Sequence, residues 1–127
     1  MMIDAEAAAL LAGRSFQLWE YRVSHGQLLI RSPADDAHDR NVDILFTGVR
    51  LIMAPRHLRE VQIAPPSTVD LDVASHQLGE AVAAENLVVI RGATANHYVV
   101  AAKAWIADGG DSLAMFASPF DAKSTSL

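Results

Sequence analysis

The chain contains no cysteine. That absence excludes disulfides, zinc–thiolate sites, thiol nucleophiles and redox switching together. Long apolar runs are also missing, and those present, residues 7–12, 87–90 and 98–102 among them, fall far short of the roughly 20 residues a membrane-spanning helix needs. The first residues carry Asp4 and Glu6 where a secretory signal would carry bases, and no apolar core of a signal's length follows. A cytoplasmic location is therefore expected. Bases are scarce, 10 against 15 acids for a net charge of −5. So acidic a chain is a poor match for phosphate backbones or anionic lipid, and neither nucleic acid nor membrane is expected as a partner. Lysine is nearly absent, with two Lys against eight Arg, while 22 residues are Ala. That bias points to a GC-rich bacterial genome rather than to a function.

Signatures of catalysis are lacking too. There is no Gly-x-Ser-x-Gly elbow, no phosphate-binding Gly-rich loop and no dinucleotide fingerprint. The five histidines, His25, His38, His57, His76 and His97, show no metal-ligand spacing. No cofactor and no metal is expected. Ser24-His25 and Ser75-His76 invite comparison with a hydrolase. Neighbours on a strand point to opposite faces, however, so neither pair reads as its own dyad.

What is present is a chain of 127 residues, 51% hydrophobic and 20% charged, enough for one domain with a real core. Residues 1–120 read as a single β-rich unit and 121–127 as a frayed tail. Residues 4–12 suit a short helix, with Asp4 to cap it and Gly13 to end it. Residues 15–24 and 27–32 form a hairpin joined by His25-Gly26, with Trp19, Tyr21 and Val23 on one face. Residues 33–40 are a polar loop. Residues 41–53 read as two strands or one bulged strand. Val42, Ile44 and Phe46 share a face, and the apolar set shifts to Val49, Leu51 and Met53 after Gly48. Residues 58–63 make a short strand, and the alternation over 69–73 reads as another. Residues 75–85 are assigned to helix, although Gly79 weakens it. Residues 86–91 and 97–106 form a second hairpin, 108–111 a turn and 113–116 a last strand.

Together these predict an α+β domain, predominantly antiparallel β, as a curved sheet or partly open barrel with one or two short helices. Val99 and Trp105 share one side of their strand, and Tyr98, Val100 and Ile106 the other. Burying both sides needs a second layer, part of which a second copy could supply, so a homodimer is expected.

Four residues stand out as candidate ligand-binding groups. Glu20 and Arg22 share the face opposite Trp19 and Tyr21, which reads either as an ordinary ion pair or, with Tyr21 or Asp43, as the mouth of a curved sheet. Arg50 opens a basic run with Arg56, His57 and Arg59 that could clamp an anion or pair with the chain's own carboxylates. Asp35, Asp36, His38 and Asp39 lack the calcium-loop pattern and read as a solvated loop. Two functions follow. One is a non-enzymatic protein–protein interaction module, immunity-like or regulatory. The other is a small-molecule-binding or catalytic β-barrel with Glu20, Tyr21 and Arg22 around a polar-lined pocket.

Overall fold

The computed structural model describes residues 5–111. Helix α1 (Ala5–Leu11) is followed by β1 (Phe16–Arg22), β2 (Gln27–Ser32), β3 (Arg40–Thr47), β4 (Leu51–Met53), β5 (His57–Leu58) and β6 (Gln62–Ala64). Helix α2 (Thr68–Leu78) then leads to β7 (Leu87–Arg91), β8 (Asn96–Val100) and β9 (Lys103–Asp111). The strands form two antiparallel sheets, β5-β1-β2-β3-β9 and β4-β8-β7-β6. The fold is α+β and mostly antiparallel, and the sheets do not close into a barrel. The predicted strand at 113–116 and tail at 121–127 lie outside the described residues. Among the described residues, no helix is long and apolar enough to cross a membrane.

Period-two alternation puts one face of each sheet against the other. Phe16, Leu28, Ile30, Val42, Ile44 and Phe46 of the five-stranded sheet meet Val88, Ile90 and Val99 of the other in one buried apolar cluster. Helix α1 is too short to persist alone. It is held because Leu10 and Leu11 join this cluster. The opposite face of the second sheet, with Leu87, Val89, Tyr98 and Val100, is covered by Leu71, Ala74 and Leu78 of α2. The second layer over Tyr98 and Val100 is thus supplied within the chain.

Two strand pairs pass from sheet to sheet at one corner. β3 continues into β4 through Gly48, and β8 into β9 through Ala101 and Ala102, whose N–H donates to the carbonyl of Thr47 at 3.0 Å. Gly48 has φ +64°, and a Cβ there would lie 2.7 Å from that of Ala102. The predicted change of parity at Gly48 is this crossing. It separates Val49, in the inter-sheet cluster, from Leu51 and Met53, which pack beneath α2. The same bend at Ala101 and Ala102 puts Val99 and Ile106 on the same inner side.

Four local assignments differ from expectation. Residues 69–73 are the start of α2, not a strand, because Ser67 and Asp70 form a reciprocal capping box after Pro65-Pro66. Gly79, φ +84°, ends that helix, so residues 80–85 lie beyond it. The strand expected over 58–63 is split between the sheets, with Glu60 at φ +50° in the link. Asp108 to Asp111 lie within β9, where Gly109 is the extra residue of a bulge opposite Asn41 and Val42.

Candidate functional site

The β1–β2 hairpin carries three of the four candidate residues. Leu18 pairs with Ile30 and Glu20 with Leu29, leaving Trp19 as the extra residue of a bulge. A bulge breaks alternation, so Trp19 and Glu20 both turn to the outer face of the five-stranded sheet while Leu18 and Tyr21 face inward. Trp19, Tyr21 and Val23 therefore do not share a face, contrary to the sequence pattern. Val23 leaves the strand altogether, because residues 23–25 form a 3₁₀ turn closed by Gly26 at φ +57°. The connection is a four-residue loop rather than the two residues expected.

On the outer face Arg22 Nε contacts Glu20 Oε1 at 2.8 Å, both side chains about one-third exposed or less. One strand over, Arg31 grips Asp43 through two parallel bonds, Nε–Oδ1 at 2.6 Å and Nη2–Oδ2 at 2.9 Å. The Arg31 guanidinium also lies 5.4 Å from the centroid of the Trp19 ring. Arg31 and Asp43 are 2% and 1% exposed. Glu20, Arg22 and Asp43 thus share a face, as the sharper sequence reading had it, but that face is the back of the sheet and not the mouth of an interior. The space between the sheets is filled by apolar side chains.

Tyr21 stands apart from this array. It sits on the inner side at the end of β1, yet it is 44% exposed, and neighbouring Val23 is 77% exposed. Arg50 is remote from both, paired with Glu80 beyond the end of α2. The structure therefore unites Glu20 with Arg22, leaves Tyr21 on the opposite face at the hairpin end, and places Arg50 elsewhere.

The turn brings Ser24 Oγ within 2.8 Å of His25 Nδ1, which a strand would not allow. This corrects the expectation that the pair cannot meet. Both residues are exposed, and among the described residues no carboxylate is bonded to His25 to orient it, so the contact lacks the third group of a nucleophilic triad. In the polar loop, Asp35 Oδ1 accepts from the backbone of Ala37 and His38 at 2.8 and 2.7 Å and meets His38 Nδ1 at 3.0 Å. The little desolvation there raises the Asp35 pKa, but these hydrogen bonds together outweigh it and hold the carboxyl below its ordinary value. No group of His, Asp or Glu among the described residues is arranged to hold a metal.

Two further features escaped the sequence reading. Arg14 spans the open end of the β2–β3 hairpin, donating to Ser32 Oγ at 2.9 Å and to the carbonyls of Ser32 and Arg40 at 3.1 and 2.7 Å. A groove of about 580 Å³ runs between α1 and the β5–β6 link, lined by Leu11, Ala12, Val61 and Ile63 with Glu60 at its lip. Both depend on long-range packing, which local pattern does not encode.

Comparison with known protein families, with curated proteins and with solved structures found no match.

Proposed function

We propose that this protein is a non-enzymatic binding module that engages another protein through the end of the β1–β2 hairpin. The observation that carries this reading is the exposure of Tyr21, near the end of β1, and of Val23, two residues on in the turn closed by Gly26. A large apolar side chain left in water on an ordered turn costs solvation free energy that a partner recovers, and Tyr combines apolar area with a polar tip. The Glu20–Arg22 pair next to it supplies polar groups of both signs for a rim. The net charge of −5 favours a partner with a basic surface, as for an immunity-like or regulatory protein acting in the cytoplasm.

A small-molecule ligand is the second reading, and it moves from Glu20, Tyr21 and Arg22 to the α1 groove. The volume of about 580 Å³ lies within the ligand-pocket range, and Glu60 occupies a left-handed conformation at its lip. Affinity capture from source cells separates the two. Wild type retains a stoichiometric partner, and the Tyr21→Ser/Val23→Asp double variant, folded to the same melting temperature, loses it. Capture unaffected by that variant overturns the hairpin reading. Small-molecule binding abolished by Ala12→Trp, with the hairpin intact, supports the groove instead. Homodimerisation is a separate expectation, and a monomer mass by light scattering at high micromolar concentration would end it.

A further inference from the structure

The groove beside α1 is walled on one side by the edge of a sheet. Strand β6 ends the order β4-β8-β7-β6, so among the described residues no strand pairs with its second edge. An edge of this kind presents backbone N–H and C=O groups ready to pair with another chain. Val61, Gln62 and Ile63 all line the groove. Successive side chains of an extended segment point to opposite faces, so a groove that meets three in a row follows the backbone edge. The opposite wall is α1, through Ala8 and Leu11, one turn apart, with Ala12 just beyond. The two alanines are too short to close the gap. Leu11 and Val61, 2% and 3% exposed, make its floor apolar.

Glu60 is the one charged side chain among the lining residues. It is exposed and has no salt-bridge partner among the described residues. Its left-handed backbone, φ +50°, turns the chain into β6 and fixes the carboxylate at the end of the edge.

We infer that this groove takes an extended peptide segment of another protein, carrying a basic side chain, as a further strand on β6. Main-chain bonds along the edge give affinity, the apolar floor takes alternate side chains, and Glu60 selects Lys or Arg. The edge is three residues long, about 10 Å, so it pairs with about three residues of the peptide. The net charge of −5 draws a basic segment and repels an acidic one. The inference rests on the groove being a binding site and is independent of the hairpin end.

Random heptapeptides displayed on phage are selected against the full chain, and the enriched sequences are synthesised. They are expected to carry Lys or Arg, and to bind Ala12→Trp at least about tenfold more weakly. Glu60→Lys is expected to weaken them about fivefold or more. Methylating the peptide amides one at a time then reads strand pairing on the wild-type protein. Methyl groups at alternate amides abolish binding and those between are tolerated. Binding without that alternation overturns the inference, as does affinity unchanged in Ala12→Trp or in Glu60→Lys. Loss of the peptides in Tyr21→Ser/Val23→Asp also overturns it, by assigning them to the hairpin end. If no peptide is enriched while a small molecule still depends on Ala12, the groove reading stands and this inference falls. If neither binds, both fall.

Discussion

Arg31 and Asp43 show how much depends on whether a charge is buried. Their bidentate geometry satisfies both groups, with Trp19 alongside, in a place where neither is hydrated. Such a pair contributes little net stability over apolar replacements, but losing one member strands the other in a low-dielectric site. Arg31→Met or Asp43→Leu alone is expected to cost about 3–5 kcal/mol, and the double variant to lie within about 1 kcal/mol of wild type. A double-mutant cycle by urea denaturation checks this, and additive single losses would contradict it. Glu20–Arg22 and Arg50–Glu80 differ in kind. Their side chains are partly exposed, so each is worth no more than about 1 kcal/mol. Those residues can therefore be changed to probe binding without unfolding the chain.

Helix α2 is anchored by one carboxylate. Asp70 Oδ2 accepts from the backbone N–H and hydroxyl of Ser67, both at 2.9 Å, while Oδ1 accepts from Tyr98 Oη at 2.7 Å and Asn96 Nδ2 at 3.2 Å. The helix cap is thereby tied to β8. Burial raises the Asp70 pKa, yet the hydrogen bonds from Ser67, Tyr98 and Asn96 together hold it below the ordinary 3.8. Burial first, and then Asp70 itself, push the Tyr98 hydroxyl above its ordinary 10.0. A carboxylate whose pKa is lower in the folded than in the unfolded chain stabilises the fold in full above the unfolded value. That contribution is lost as the pH falls from about 3.8 through the lower folded value. Asp70→Asn is expected to cost about 2 kcal/mol at neutral pH and to flatten the acid limb of a denaturation series. An acid limb unchanged from wild type would count against the anchor. Asp70 also marks the limit of what the sequence reveals. Val69, Leu71 and Val73 alternate as in a strand, and only the reciprocal Ser67–Asp70 cap after two prolines announces a helix. The hairpins and the inward faces of Leu28, Ile30, Val42, Ile44 and Phe46 were legible because a two-residue period is local. The Trp19 bulge was not, since it is defined by the partner strand. The placement of Glu20 beside Arg22 was readable from their spacing, whereas the Arg31–Asp43 pair needed the β2–β3 register.

Among the described residues the molecule is a pair of packed sheets with α2 against one of them and an apolar cluster between them, and Glu20 and Arg22 lie on the back of their sheet, away from that cluster. The large apolar side chains left exposed among the described residues are Tyr21, Val23 and Val69. Two of them lie at the hairpin end, and the third stands on α2, against the other sheet. Val69, 68% exposed, is thus a built-in control for Val23, 77% exposed, matched in residue type and accessibility. The most direct measurement is photo-crosslinking in source cells with a photoreactive residue placed at position 23 or at position 69. A single heterologous protein captured from position 23 and not from position 69 is the result expected of a hairpin-end binding module. No adduct at position 23, or the same adducts from both positions, would contradict it.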